Sequence, residues 1–246
     1  MVYGNSMIVL RLVLYQSMVN YRIENSFGHV QSYPLPTPSM IRGMAHDLLD
    51  LKEYFPLRIS IQGNFESAVV NMQRVMKFDR DPKSRPNNPY LVEVGTSVKT
   101  ATHSISFVDN LINCELILHI AFKNNEEYTR NLYQEVFQKT VVLGRNDDIA
   151  RVDFNKTKLT EVKLGKSPER LKYSAYILKD IAHKNQIGGT HYKLPFKYEP
   201  VKDFNENRIF NFVECVYVSK DEQLEEEFYI DEDNLPVSFL ELDNEF

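Results

Sequence analysis

Residues 7–15 read Met-Ile-Val-Leu-Arg-Leu-Val-Leu-Tyr and decide the fold class of this chain. In an extended chain, successive side chains point to opposite faces, so the run divides into two sets. One face carries Ile8, Leu10, Leu12 and Leu14, and the other carries Val9, Arg11, Val13 and Tyr15. Alternation of this kind is typical of a half-buried strand. We therefore predict a first β-strand here, with Arg11 on its outward face.

A proline-rich segment, Tyr-Pro-Leu-Pro-Thr-Pro-Ser at residues 33–39, introduces the first helix. Thr37 followed by Pro38 is a typical N-cap and first-turn pair. Apolar residues then recur at helical spacing: Met40, Ile41, Met44, Ala45, Leu48 and Leu49. The pattern predicts a helix over about 38–51. Free backbone N–H groups at its start favour an anion near Ser39 and Arg42.

A hairpin is predicted after this helix. Residues 58–78 have the composition of one or two strands, and the proline-bounded segment 79–89 must leave the sheet. The strand-like runs 90–94 and 104–108 flank a tip at 95–103 that is rich in Thr, Ser and Lys. We interpret these runs as a projecting hairpin.

The remaining elements complete an α+β topology. Residues 114–122 alternate like a strand, 126–139 are amphipathic like a helix, and 149–154 have the pattern of a closing strand. The resulting β-α-β-β-α-β order is that of a ferredoxin-like domain, shared with the RNA recognition motif. We assign this domain to residues 1–154, and a β-rich C-terminal half-domain with an acidic tail to 155–246. Its strand candidates are 171–179, 192–195 and 208–218.

Charge is unevenly distributed along the 246 residues, whose net charge is −5. Residues 220–246 hold eleven acids and one lysine, whereas residues 1–219 carry a net charge of +5. The stretches 74–103 and 156–193 are the most basic. Such a distribution is typical of an RNA-binding body with a protein-docking or self-shielding tail, and an ordinary solvated surface is the alternative interpretation. With 43% hydrophobic and 26% charged residues, the chain belongs to the globular proteins rather than the disordered ones.

Common catalytic motifs are absent from the sequence. It contains no phosphate-binding loop, nucleophile elbow, zinc-protease helix or dinucleotide fingerprint, and we expect neither a cofactor nor a metal. Cys114 and Cys215 stand far apart in apolar runs, which predicts no disulfide and a cytoplasmic location. The apolar start is too short for the roughly 20 residues of a membrane span.

Histidines leave one catalytic alternative open. His46 and His119 fall on a predicted helix and strand, which favours structural roles. His29, His103 and His191 fall in predicted loops beside Tyr21, Lys99 and Tyr192. Loop imidazoles are compatible with a metal-independent ribonuclease that uses an acid and a base. Simple RNA contacts or structural roles explain the same residues.

A glycine turn, Leu143-Gly-Arg-Asn146, follows the second predicted helix. One interpretation is a glycine C-cap with an exposed arginine. The other is a tight turn beside which an RNA backbone passes while Arg145 pairs with phosphate. The sequence supports both equally.

Several segments, taken in order, resemble one known family. They are the first strand IVLRLVLY, the loop Asn20-Tyr-Arg22, the segment 33–44 opening the first helix, the turn 142–147, the segment Gly188–Pro195 and the late strand Arg208–Phe212. Together they resemble the fifth family of CRISPR-associated proteins, RAMP-superfamily subunits of type I Cascade complexes, and most closely the type I-B branch. The resemblance spans nearly the whole chain.

The resemblance implies a non-catalytic architectural role in antiviral defence. Such a subunit holds the 5′ handle of the CRISPR RNA (crRNA), caps the backbone subunits of the filament and seats the large subunit, which inspects target DNA. No membrane partner is expected, since the sequence offers no span. A hairpin acts as a thumb over the guide in this family, and we place it at about 74–108. The resemblance gives these RNA-binding candidates: Tyr21, Arg22, Ser39, Arg42, Lys77, Arg85, Lys99, His103, Gly144 and Arg145.

The sequence is compatible with two rival functions. The type I-C branch of the family cuts precursor crRNA with a Tyr, Lys and His set, but Lys99 and His103 are four positions apart here rather than adjacent. A metal-independent endoribonuclease that processes precursor crRNA is therefore the alternative function. A general RNA-recognition-like binder outside CRISPR is a third.

Overall fold

The computed structural model describes residues 6–26, 28–80, 91–94, 97–166, 168, 170–200, 208–224 and 227–241. For 75–80, 91–94, 101–103, 199–200 and 208 it describes the backbone alone. The elements in chain order are β1 (Met7–Val19), β2 (His29–Val30), α1 (Pro38–Leu48), β3 (Leu57–Asn64), β4 (Ser67–Arg80), β5 (Leu91–Val94), β6 (Ser97–Phe122), α2 (Glu126–Gln138), β7 (Val141–Val142), β8 (Ile149–Val152), β9 (Lys158–Lys166), β10 (Ser174–Leu178), α3 (Lys179–Lys184), β11 (Thr190–Pro200), β12 (Arg208–Val218), β13 (Glu227–Ile230) and β14 (Pro236–Val237).

A single, almost entirely antiparallel sheet organises these elements, which confirms the predicted α+β class. Its order is β11-β12-β10-β3-β6-β1-β9-β13-β14, and β8 pairs with β1 beside β9. Strands on both sides of residue 154 therefore pair with β1. The predicted division into two domains at that residue stays a prediction.

Helices α1 and α2 cover one face of the central strands. Thr37 accepts a hydrogen bond from the backbone N–H of Met40, and Pro38 occupies the first turn, so the predicted N-cap is confirmed. Buried residues of both helices, including Ile41 and Leu132, share one core with Leu12 of β1. Helix α1 ends at Leu48, three residues before the predicted end. None of the helices among the described residues is long and apolar enough to cross a membrane.

The opposite face of the central strands is covered by residues 227–241, which we call the C-terminal segment. Leu235 packs against Val13, and Phe239 packs in a cluster with Val9. Leu240 donates its backbone N–H to the Ile59 carbonyl at 2.7 Å. Because this face is covered, β1 is buried on both sides and the prediction of an outward-facing Arg11 is wrong. Arg11 is 7% exposed.

A buried ionic cluster fixes the C-terminal segment to this face. The Arg11 guanidinium donates to Asp231 at 3.3 Å and also bonds Asp233. His119 lies 3.1 Å from the same Asp231 carboxylate and is fully buried. Burial lowers the pKa of His119 from its ordinary 6.5; the Asp231 carboxylate opposes the shift and Arg11 assists it. His119 is therefore neutral in the folded protein at neutral pH, and its ring N–H donates to Asp231.

Stability is expected to fall in acid because of His119. The unfolded chain binds this proton near pH 6.5, whereas the folded chain binds it only at lower pH. The contribution of His119 to the unfolding free energy is therefore complete above about pH 6.5 and is lost as the pH falls below that value. Between about pH 7.5 and about pH 5.5, the unfolding free energy of the wild type should drop about 1 kcal/mol more than that of His119→Gln. Urea titrations at both pH values measure the difference. Equal drops in the two proteins contradict this account.

The predicted hairpin is a longer two-stranded ribbon, formed by β4, β5 and residues 97–112 of β6. Residues 67–80 pair with 100–112, and the short β5 pairs with 97–100. The predicted tip at 95–103 is wrong for residues 97–103, which are strand. The first half of the ribbon is β4, so the predicted thumb boundary at 74 lies inside that strand.

The C-terminal half is β-rich, as predicted. Strand β12 coincides with the predicted 208–218, and β10 and β11 fall at the other two candidates. Strands β9, β13 and β14 and helix α3 are additional. Both cysteines are buried and unbonded.

Candidate nucleic-acid interface at the ribbon base

Two segments meet where the ribbon leaves the sheet. One is the connection between β1 and α1, residues 20–37, which we call the first loop, and the other is the glycine turn. We call the meeting point the ribbon base, defined by Asn20, Gln73, Asn110, Arg145 and Asp148. The sequence singled out both segments but gave no distance between them. The structure brings them together with the ribbon.

The glycine turn has the conformation that only glycine adopts readily. Gly144 has φ +112°, and a Cβ there would lie 2.8 Å from an Asp148 carboxylate oxygen and 2.9 Å from a methyl group of Val19. The turn does not follow the helix directly, because β7 lies between them. The C-cap interpretation is therefore wrong, and Gly144 is required by a close approach of the backbone to β1.

Asp148 organises the turn. Its nearly buried carboxylate accepts hydrogen bonds from the Arg145 backbone N–H at 2.8 Å, from the Arg145 side chain at 3.0 and 3.1 Å, and from the Asn20 backbone N–H at 3.3 Å. The two bonds from the Arg145 side chain reach both oxygens of the Asp148 carboxylate, and this two-point contact orients the guanidinium. One carboxylate thus joins the glycine turn to the first loop.

Arg145 connects the turn to the ribbon. One terminal nitrogen donates to Gln73 of β4 at 3.3 Å, and the other lies 3.4 Å from the Asn110 side-chain oxygen on β6. The Arg145 side chain is 26% exposed. The guanidinium is thus held in one position between the turn and the ribbon, and part of the Arg145 side chain is accessible there.

The first loop packs along the ribbon. Gly28 accepts hydrogen bonds from the Phe107 backbone at 3.2 Å and from the Ser106 hydroxyl at 2.9 Å. His29 pairs with Asp109, and β2 runs parallel to β6. The Asn20 side chain donates to the Asp109 carbonyl at 2.6 Å. The edge of β6 that does not pair with β4 is thus attached to the body of the protein.

One face of the ribbon carries exposed apolar side chains. Met72 and Phe107 are directly paired across the two strands and are 64% and 50% exposed. Val70 and Ile105 extend this surface, at 62% and 67% exposure. Arg74, paired with Ile105, adds an exposed cation. The combination suits stacking of bases with a phosphate contact beside them.

Two sequence-based candidates are corrected by burial. Tyr21 is 0% exposed, and its hydroxyl donates to Gln16 at 2.7 Å, so no ring face is free for a base. Burial raises the pKa of Tyr21 well above its usual value. Arg42 is 7% exposed, donates to the carbonyls of Phe196 and Phe55, and lies over the Phe196 ring. Both side chains stabilise the fold.

The remaining candidates fall at separate places. Arg22 is exposed in the first loop and donates to the Ser26 carbonyl at 3.4 Å. Ser39 is half-buried in the first turn of α1. Lys99 is half-buried on β6, opposite Val92. The side chains of Lys77 and His103, and all of Arg85, lie outside the described residues.

The histidines do not form a shared acid–base site in the described part of the chain. His29 pairs with Asp109, and His191 contacts the ring of His183 at 5.7 Å between centroids. His46 is held by the Arg42 carbonyl and the Phe55 N–H, which confirms its structural role. The described residues contain no group of three or more potential metal ligands.

Sequence reasoning missed Gln73, Asn110 and Asp148. Gln73 and Asn110 gave no signal, because polar residues are ordinary on a strand. Asp148 offered a weak one, since an acid three residues after an arginine in a glycine turn can pair with it. Asp147 and Asp148 are adjacent, and only the structure shows which of them turns inward.

Comparisons with known proteins give a fold likeness at low similarity. No family model matches the sequence, and no curated protein matches it. Among solved structures, a chain described as "CRISPR RNA-guided surveillance complex" is 10% identical with a TM-score of 0.44, covering 92% of both chains. A chain of a type III-B Cmr-beta complex, described as bound to cognate target RNA and AMPPnP, is 14% identical with a TM-score of 0.45 over 86% of both chains. A third, described as "Crystal structure of Cas protein", is 12% identical with a TM-score of 0.40, covering 95% of this chain and 99% of the other. These values are too low to transfer a function.

Proposed function

We propose that this protein is a crRNA-binding structural subunit of a type I Cascade complex, of the I-B branch, and that it catalyses no reaction. The observation that carries the proposal is the ribbon base. The first loop and the glycine turn are two of the segments on which the sequence resemblance rests. Both are hydrogen-bonded to the Asp148 carboxylate at the ribbon base, beside an exposed ribbon. The arrangement positions cations and apolar side chains, which is what binding requires.

The strand order supports a ferredoxin-like, RAMP-type fold. Strand β6 lies between β3 and β1, and β8 pairs with β1 on its other side, all antiparallel. Helices α1 and α2 lie in the connections β1-to-β3 and β6-to-β8. This is the arrangement expected for β-α-β-β-α-β connectivity with a ribbon inserted between its second and third strands.

The ribbon is the surface we assign to the 5′ handle of the crRNA. In RNA-recognition-like domains the helix-free sheet face commonly carries stacked bases. Here the C-terminal segment covers that face over β1, β3 and β6. The exposed Met72–Phe107 pair and Arg74, which share one face, then provide the stacking and phosphate groups. Arg145 contacts Gln73 and Asn110 on the other face and is a second phosphate-binding candidate there. Backbone subunits and the large subunit are the proposed protein partners, and target DNA is reached through the complex.

Removing the charge of Arg74 or Arg145 should weaken guide retention. Arg74→Gln removes an exposed cation, so we expect roughly tenfold weaker RNA binding and a salt slope smaller by about 0.7 per lost phosphate contact. Arg145→Gln should do the same and also lower the melting temperature, because it loses the Asp148 pair. The measurement is binding of repeat-derived RNA at several salt concentrations.

Arg130→Gln is the matched control. Arg130 lies on α2 and pairs with Glu126 on the surface, away from the ribbon. An unchanged slope in Arg74→Gln and Arg145→Gln contradicts the assignment of the ribbon. Co-expression with neighbouring genes and a CRISPR array, followed by sequencing of the co-purified RNA, tests the wider proposal. RNAs with a uniform repeat-derived 5′ end are expected, and random or absent RNA excludes the Cascade role.

A further inference from the structure

The outer edge of β4 carries no paired strand in the part of the chain that the structure describes. Strand β4 pairs with β6 along one side only. Every side chain from 67 to 72 is exposed, with Val69, Val70 and Met72 at 44%, 62% and 64%. An edge differs from a face, because it presents backbone N–H and C=O groups rather than side chains. This edge is therefore a surface separate from the ribbon face that we assign to RNA.

Contacts on the far side of β6 show which way its backbone groups point. The Phe107 N–H donates to the Gly28 carbonyl at 3.2 Å, beside the parallel pairing of β2 with β6. The Asp109 carbonyl accepts from the Asn20 side chain at 2.6 Å. In a strand, the N–H and C=O of one residue point to the same side, and successive residues alternate. The backbone groups of Phe107 and Asp109 therefore point away from β4.

The register between the two strands carries this orientation to β4. Phe107 is paired with Met72, and Asp109 is paired with Val70. Opposite residues in an antiparallel ladder either bond each other or both point away. The N–H and C=O groups of Val70 and Met72 therefore face outward, whereas Asn71 between them bonds to β6. The outer edge thus offers a donor and an acceptor at every second residue, about 7 Å apart.

The sequence of this edge lacks the usual protection against strand pairing. Residues 67–73 contain neither a proline nor a charged side chain, and the register shift lies later, between Lys77 and Arg80. Natural proteins protect exposed edges with charges, prolines and bulges, because an unprotected edge pairs with other chains. An edge left open in this way is suited to receive a strand when the protein assembles.

The backbone groups at this edge select a polypeptide over RNA. Phosphate oxygens only accept hydrogen bonds, so an RNA backbone would leave the carbonyls of Val70 and Met72 without donors from the ligand. An extended peptide supplies a donor and an acceptor at the matching spacing. A second copy of this chain is disfavoured, because joining two ribbon edges would bring two bound RNAs side by side against phosphate repulsion.

We propose that the outer edge of β4 binds an extended, uncharged segment of a partner protein, which adds a strand to the ribbon. The backbone groups of Val70 and Met72 bond the added strand, and its apolar side chains, at every second position, pack beside theirs. The inference deepens the proposed function, because it assigns a protein contact to the ribbon. It rests on that function only for the choice of a partner protein over a second copy.

Acetyl-Thr-Val-Thr-Val-Thr-amide is the probe that tests this edge, because it is uncharged and favours an extended backbone. Titrating it into the isotope-labelled full chain should give saturable NMR shifts at the Val70 and Met72 amides, with millimolar affinity, and should slow their hydrogen exchange. The amides of Asn71 and Gln73 should exchange slowly with and without the peptide. The same peptide with every backbone nitrogen methylated is the control; it has no donors, and it should not bind.

Proline variants separate binding at the edge from folding of the ribbon. Val70→Pro removes an outward N–H, which an edge strand tolerates, so it should weaken peptide binding about three- to tenfold and leave the Gln73 amide slow to exchange. Val70→Thr retains the N–H and is the matched control, with binding like that of the wild type. Asn71→Pro removes an N–H that bonds to β6, so the Gln73 amide should exchange faster. If Val70→Pro disrupts the ribbon and Asn71→Pro does not, β4 faces the other way and the proposal fails.

Three further results overturn the proposal. The first is unchanged exchange of the Val70 and Met72 amides in the presence of the peptide, or equal binding of the methylated peptide. The second is slower exchange of the same amides on addition of repeat-derived RNA, which assigns the edge to RNA. The third is a dimer in sedimentation whose Val70 and Met72 amides are protected without peptide, which assigns the edge to a second copy. None of these results alters the salt slopes expected for Arg74→Gln and Arg145→Gln, so the two proposals fail separately.

Discussion

Replacing Asp231 with asparagine should lower the free energy of unfolding by about 3 to 5 kcal/mol, the cost of breaking a buried charge pair. One Asp231 oxygen accepts from Arg11 at 3.3 Å and lies 3.1 Å from His119. The other accepts the backbone N–H groups of Asp233 at 3.0 Å and Leu235 at 2.8 Å. An amide supplies no charge and places an NH₂ group against donors. Arg11 then stays buried with only the half-exposed Asp233 carboxylate as its partner.

The effect should be concentrated in the C-terminal segment. Urea unfolding measures the stability, and limited proteolysis should cut residues 227–241 faster in the variant. Glu232→Gln is the matched control, since Glu232 is the exposed neighbour and pairs with Lys158 at the surface. A surface pair contributes about 0 to 1 kcal/mol. If both variants lose the same small amount, Asp231 does not fix the segment.

Gly144→Ala should destabilise the protein by about 2 to 3 kcal/mol. The backbone there has φ +112°, a conformation that costs a side-chain-bearing residue about 1 to 3 kcal/mol. The new Cβ also meets an Asp148 oxygen at 2.8 Å and Val19 at 2.9 Å. Relief of these contacts displaces Asp148, the residue that orients Arg145. RNA binding should therefore weaken along with stability.

Gly43→Ala gives a control of opposite sign. Gly43 lies in α1, and a Cβ added there would meet no atom within 4 Å. Alanine at this position should stabilise the helix by about 0.5 to 1 kcal/mol and leave RNA binding unchanged. Thermal and urea unfolding of both variants, with RNA titration beside them, test the pair. Similar stabilities for the two variants contradict a required glycine at 144.

Local chemistry made part of the fold predictable from sequence. Thr37 and Pro38 set the start of α1 through contacts within a few residues, and the alternation of residues 7–15 set β1 and its two faces. Alternation cannot show what covers each face. Arg11 was placed outward because its cover, the C-terminal segment, lies 220 positions away in sequence at Asp231.

The candidate site was predictable in its segments but not in its contacts. Gly144 and Arg145 were found because glycine and arginine in a turn carry a recognisable chemistry. Tyr21 was misassigned, since an aromatic residue in a polar loop has the same sequence pattern whether it stacks on a base or bonds Gln16 in the core. The ribbon tip was misplaced because small polar residues at 97–103 resemble a loop, whereas residues 97–100 pair with the neighbouring β5 and residues 100–103 pair with β4.

The C-terminal segment also sets an order on biosynthesis. Strand β1 is translated long before residues 227–241, which cover one of its faces. Until those residues have been made, Val9 and Val13 face solvent or another molecule. Late closure by distant contacts slows folding and prolongs the exposure of apolar surface. The nascent chain should therefore depend on chaperones until residues 227–241 are translated, and truncation before Asp231 should yield aggregated protein.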